Sequence, residues 1–150
     1  MKCLKADAYF NSILDISPDW LKENNIMGLI LDIDNTLIGH NVPIPNEDVI
    51  NHLRLLESSG IKLCVVSNNS YGRVKSFCDK ISIKYFVHGA LKPKKRGYLE
   101  SSRQMGLPLD KIGAVGDQLF TDVLSANRTG AVSVKVEPMG KEPPLAYFEN

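Results

Sequence analysis

The sequence predicts a three-layer α/β domain, a parallel sheet of about five strands with helices on both faces. Three observations lead there. Short apolar runs recur along the 150 residues, at Ile26–Leu31, Ile61–Val66, Lys84–Val87, Ile112–Val115 and Ala131–Val136. The segments between them carry apolar residues at helical spacing. The connections are short, so the alternation βαβαβαβαβ implies parallel strands joined by right-handed crossovers.

The first run has no helical period and reads as a strand buried on both faces. It stops abruptly at Asp32-Ile33-Asp34-Asn35-Thr36. If the strand persists that far, Asp32 and Asp34 project to one side. They do so at the C-terminal end, where open α/β sheets bind ligands. Two close carboxylates repel unless a cation lies between them, and Mg²⁺ prefers oxygen ligands. The local reading is a metal-bound carboxylate pair with Thr36 as a hydroxyl donor. The alternative is that Asp32, Asp34 and Asn35 form a turn through their own side chains.

Ahead of this strand, Leu4, Tyr9, Phe10, Ile13, Leu14 and Ile16 form a loosely helical pattern. Ser17 suits an N-cap and Pro18 a first helical position, so a short helix runs to about Asn24. Residues 1–25 are expected to be a helical lead packed on the core. After the carboxylates, a polar loop broken by Pro43 and Pro45 precedes a helix from Asn46, with Val49, Ile50, Leu53 and Leu56 on one face and Gly60 after it. The second strand leads into Ser67-Asn68-Asn69-Ser70 and a helix from Tyr71 to Ile81. The third strand leads into His88-Gly89-Ala90-Leu91-Lys92-Pro93 and a helix closed by Gly106. The fourth leads into Gly116-Asp117-Gln118 and a helix over Thr121–Thr129. Residues 26–136 thus form the main domain, and 137–150 a tail that tracks the surface.

Hydrophobic residues make up 43% and charged residues 23%, ordinary for a globular protein. A net charge of +1 gives no electrostatic basis for nucleic acid binding. Three scattered cysteines fit neither a disulfide framework nor a zinc site, and Cys64 and Cys78 read as reduced core residues. No stretch approaches the roughly 18 apolar residues of a membrane span, and the N-terminus lacks a signal-peptide layout. A cytoplasmic setting is the expectation. His40, His52 and His88 have no partner motif.

Polar residues collect at the C-terminal ends of four strands: Asp32, Asp34 and Thr36; Ser67 and Asn68; Lys92; Asp117 and Asp122. In this order they resemble the four motifs of the haloacid dehalogenase (HAD) phosphatase superfamily, over about residues 26–136. Asn35-Thr36-Leu37, Val66-Ser67-Asn68-Asn69, Ala90-Leu91-Lys92-Pro93, Gly116-Asp117-Gln118-Leu119-Phe120-Thr121-Asp122-Val123 and the lead ending Ser17-Pro18-Asp19-Trp20-Leu21-Lys22 resemble its YqeG-type branch. That branch belongs to subclass IIIA and is related to phosphatidylglycerophosphate phosphatases.

The resemblance implies a Rossmann-like fold without a large cap domain, and a Mg²⁺-dependent phosphomonoester hydrolase. Asp32 would be the nucleophile that forms an aspartyl-phosphate. Asp34 would be the general acid and then the base. Mg²⁺ would be held by Asp32, the backbone carbonyl of Asp34, and Asp117, with Asp122 supporting them. Thr36, Ser67, Asn68 and Lys92 would surround the phosphoryl oxygens. Lys92 precedes Pro93 as in the motif, and Lys94 is the substitute. Phosphatidylglycerophosphate is the implied substrate, with peripheral membrane contact and self-association as further expectations. Another phosphorylated substrate (nucleotide, sugar or protein) and a non-catalytic phosphate- or metal-binding assembly module are the alternatives. The resemblance also implies a longer, helix-bearing C-terminal segment than residues 137–150 provide. Neither interval between motifs can hold a lid domain, so the site is expected to be open.

Overall fold

The computed structural model describes residues 6–34, 36–39, 42–89, 95–117 and 124–138. They form one six-stranded, fully parallel sheet. The strands are β1 (Ala8–Phe10), β2 (Gly28–Leu31), β3 (Lys62–Val66), β4 (Tyr85–Val87), β5 (Ile112–Gly116) and β6 (Val132–Val136), in the order β1-β6-β5-β2-β3-β4. The helices are α1 (Pro18–Glu23), α2 (Glu47–Ser58), α3 (Tyr71–Lys80), α4 (Lys95–Met105) and α5 (Leu124–Thr129). From β2 the chain steps outward to β3 and β4. It then returns across the sheet to β5, on the other side of β2, and continues to β6. The order reverses between β2 and β5, and a crevice at such a switch point is where open α/β sheets take their ligands.

Alternate residues of the strands face opposite layers. Leu29, Leu31, Leu63, Val65 and Val115 join one apolar cluster with Val49, Leu53 and Leu56 of α2 and Val74 and Phe77 of α3. Ile30, Cys64, Val66 and Ala114 join a second with Tyr98 and Met105 of α4 and Ala126 of α5. These clusters are the two interfaces of the three-layer architecture. Burial on both faces explains the unbroken apolar runs of β2, β3 and β5. Helix starts follow the cap residues: Ser17 Oγ accepts from Trp20 N–H at 3.1 Å, and Asn46 Oδ1 from Val49 N–H at 2.9 Å.

The N-terminal lead differs from expectation. Where a helical pattern was read, Ala8–Phe10 is a sixth strand that pairs in parallel with Val134–Val136. Its partner lies more than a hundred residues away, so nothing local signals it. Asp7 fixes the register: its N–H donates to Ser133 O at 2.9 Å, and its carboxylate accepts from Ser133 N–H at 2.9 Å and Ser133 Oγ at 3.2 Å. A 3₁₀ turn (Ile13–Asp15) follows, and α1 closes the segment by setting Trp20 edge-on against Phe10, centroids 4.9 Å apart. His52 Nε2 of α2 lies 2.8 Å from Ile16 O.

Cys64 and Cys78 are free thiols buried in these clusters. Burial pushes both up from 9.0 to about 12. Unfolded thiols ionise near 9.0, while the folded ones keep their protons to about 12. The stability this difference supplies is complete below the unfolded value and is lost as pH rises through the folded one. Stability against denaturant should therefore fall between pH 9 and 12 more steeply in the native chain than in a Cys64→Ala, Cys78→Ala variant. Identical slopes would show that the thiols do not contribute.

Candidate active site

Register brings three of the polar strand ends together. Leu31 is level with Val65 of β3 and with Val115 of β5. Asp32 therefore stands beside Val66 and Gly116, with neighbouring chains about 4.8 Å away. Its N–H still reaches Val115 O, at 3.4 Å. Ser67 and Asp117 each follow one residue later on the flanking chains. All three emerge at one edge, beside the switch point.

The strand does not persist to Asp34. It ends at Leu31, Asp32 Oδ1 turns back to accept from Ile33 N–H at 3.0 Å, and the chain coils. Ile33 O accepts from Leu37 N–H at 3.0 Å and Ile38 N–H at 3.2 Å, with Ile33, Leu37 and Ile38 all buried. These buried apolar residues anchor the hydrogen-bonded turn that follows the strand end and bears Asp34 and Thr36. The projection of the two carboxylates from one strand face is thereby corrected. Asp34 reaches outward, 62% exposed, and Arg73 Nη2 of α3, 55% exposed, lies 3.5 Å from its Oδ1. Thr36 is buried, and its Oγ1 has no hydrogen-bond partner among the described residues.

After β3, Ser67 is buried, and its N–H donates to Val87 O at 3.0 Å. Its Oγ accepts from Asn69 N–H at 3.1 Å and Asn69 Nδ2 at 2.9 Å. Ser67 thus organises a tight turn ahead of α3, while the N-cap of α3 is Ser70. With its acceptor positions taken, its hydroxyl proton is left to donate. Asn69 O in turn accepts from Gly89 N–H at 2.9 Å, which ties the loop after β4 to this edge. Asn68 is exposed on the same loop. Lys92, Lys94 and Asp122 lie outside the described residues.

Asp32 and Asp117 supply carboxylate oxygens from adjacent chains. That donor set suits Mg²⁺, which commonly takes one or two carboxylates and completes its octahedron with waters and substrate phosphate. Among the described residues no group of three His, Cys, Asp or Glu forms a closed metal cage.

Beside this edge a cleft of about 740 Å³ opens between the turn after β2 and α3. Asp34, Ile38, Val42, Asn69, Arg73 and Lys80 line it. Arg73, Asn69 and Lys80 were not singled out from the sequence. Asn69 was legible as the second residue after a Ser in a strand-to-helix loop, a spacing that forms Ser turns. Arg73 and Lys80 were legible as cations seven apart on one helix face. No described helix is long and apolar enough to cross a membrane.

Comparison with known proteins gives the family. A family described as mitochondrial PGP phosphatase matches residues 4–139. The chain is 37% identical over 133 residues to the probable phosphatase YqeG of Bacillus subtilis (strain 168), covering 89% of this chain and 77% of that protein. It is 29% identical over 141 residues to the mitochondrial phosphatidylglycerophosphatase of Saccharomyces cerevisiae (strain ATCC 204508 / S288c), covering 84% of this chain and 76% of that protein. Among solved structures, the cobalt-bound deoxy-D-mannose-octulosonate 8-phosphate phosphatase of Haemophilus influenzae superposes with a TM-score of 0.62 at 17% identity, covering 80% of this chain and 83% of that one. At that identity the likeness concerns the fold. The match over nearly the whole chain makes this protein a member of the PGP phosphatase family, a YqeG-like phosphoric monoester hydrolase.

Proposed function

We propose that this chain hydrolyses phosphomonoesters with Mg²⁺ through an aspartyl-phosphate on Asp32, and that its substrate is phosphatidylglycerophosphate. The observation that carries the chemistry is the position of Asp32, at the end of the central strand with Ser67 and Asp117 on the chains either side. Asp32 Oδ attacks phosphorus, and the bond from phosphorus to the leaving oxygen breaks. Asp34 gives that oxygen a proton, then takes one from the water that hydrolyses the aspartyl-phosphate. Its exposed position on the turn suits an exchange of protons with solvent. Asp32, Asp117 and the Asp34 carbonyl would hold the metal, which offsets the negative charge gathered at the phosphoryl group. The Ser67 hydroxyl and the Asn68 region donate to phosphoryl oxygens. Lys92 balances their charge, and Asp122 steadies Asp117. Positioning and charge neutralisation do most of the work in such transfers.

The lipid substrate is carried over from the yeast relative named for it. An open site suits a phosphate presented at a membrane surface, since no lid has to close over it. Phosphate release from phosphatidylglycerophosphate in mixed micelles, beside a panel of soluble monoesters, tests the assignment. The lipid should be turned over far faster than the panel, and chelation should stop the reaction until Mg²⁺ is returned. Turnover of soluble esters alone would overturn the lipid assignment and keep the chemistry.

Asp32→Asn should lower turnover by a factor on the order of 10³ or more with folding intact, as loss of a nucleophile does elsewhere. Substantial surviving activity would remove Asp32 from that role. Thr36→Val deletes a buried hydroxyl that has no partner among the described residues. It should raise unfolding stability by about 1 kcal/mol and raise KM, because the hydroxyl is retained for the phosphate. Unchanged KM would release Thr36 from binding.

A further inference from the structure

The cleft beside Asp34 is far larger than one phosphoryl group needs, and its size is that of a small-molecule site. One wall is a stripe of α3. Arg73, Ser76, Phe77 and Lys80 are spaced i, i+3, i+4 and i+7, so they share one face of the helix. Phe77 is buried and fixes that face to the core. Arg73 and Lys80 flank it, about 10 Å apart along the helix axis. The opposite wall is Ile38, Gly39, Val42 and Pro43.

These two cations differ from others on the helices. Lys75 pairs with Asp79, Arg54 with Glu57 and Arg103 with Glu100, each within its own helix. Neither Arg73 nor Lys80 has an acid three or four residues away. Arg73 meets Asp34 at 3.5 Å across the cleft, both groups more than half exposed, a contact that a stronger anion can replace. Lys80 makes no ion pair among the described residues. Two cations against one acidic side chain give the cleft a surplus positive charge, beside the group expected to protonate the leaving oxygen.

We propose that this cleft is the leaving-group site, and that Arg73 and Lys80 bind a second phosphate carried on the leaving alcohol. The inference deepens the phosphatase reading and rests on it for the direction in which the substrate lies. The matching substrate is a phosphomonoester whose alcohol also bears a phosphodiester or a second monoester a few carbon atoms away. A phosphorylated glycerophospholipid head group has that chemistry, and so does a soluble bisphosphate. Arg73 can hold such a phosphate through two parallel N–H donors, and Lys80 adds a point charge. When Arg73 turns to the substrate it leaves Asp34, so the second phosphate also frees the expected acid.

The test is binding and turnover of three soluble probes with Mg²⁺: glycerophosphoglycerol phosphate (the deacylated head group), glycerol 1,3-bisphosphate and glycerol 3-phosphate. Affinity is measured on Asp32→Asn protein, which holds substrate without consuming it. The two probes with a second phosphate should bind about tenfold more tightly than glycerol 3-phosphate, and Lys80→Glu should erase that preference. Lys75→Glu, a charge reversal at a cation that does not line the cleft, should leave it intact. The ratio of kcat/KM for the head group against glycerol 3-phosphate should fall by a similar factor in Lys80→Glu. Lys80 is exposed on the last turn of its helix, so the variant should fold. Preference for the diester alone points to the lipid head group, and equal preference for the bisphosphate points to soluble substrates. A preference that survives Lys80→Glu, or none in the parent protein, would overturn the inference. A Lys80-dependent preference without turnover would keep the subsite and remove the phosphatase reading.

Discussion

The site depends on the burial of β2 on all sides. β3 and β5 saturate its backbone hydrogen bonds, and apolar layers cover both faces of Leu29, Ile30 and Leu31. No polar side chain can be carried inside that strand without losing its hydration. The first position where a carboxylate is tolerated is the residue that leaves the sheet, Asp32. The same constraint operates on β3 and β5, where the first polar side chains after the buried runs are Ser67 and Asp117. Register then decides which of these residues meet, and it brings all three to one end of the sheet within one residue of level. A polar cluster thus forms at the C-terminal end of an apolar scaffold.

The turn after β2 gives the two motif carboxylates different surroundings. Asp32 stays at the sheet edge, held against Ile33 N–H, while Asp34 is carried outward to Arg73. Like charges that need different roles benefit from such a separation. Ile33, Leu37 and Ile38 pin the turn to the core, so this geometry does not depend on a flexible loop. The cleft beside it lies between this turn and α3.

Much of this was legible in the sequence because it is local. Short apolar runs marked β2 to β6, and Ser17 and Asn46 marked helix starts. Polar residues directly after a buried run marked Asp32, Ser67 and Asp117. What escaped is non-local. β1 exists because Ala8–Phe10 finds β6 and Asp7 finds Ser133, whereas the local spacing of Tyr9, Phe10, Ile13 and Leu14 read as helical. Period-two reasoning for Asp32 and Asp34 failed because a hydrogen-bonded turn ends the strand at Leu31. Arg73 and Lys80 resembled ordinary helix-surface cations until the turn after β2 was seen to pack opposite them.

The most direct test of the central claim is rapid acid quench of the enzyme during turnover of a substrate labelled in its phosphate, followed by mapping of the labelled peptide. Label on Asp32, absent from Asp32→Asn and removed by time before the quench, is the expected result. Steady hydrolysis with no covalent label, or label on another residue, would contradict the role given to the end of β2.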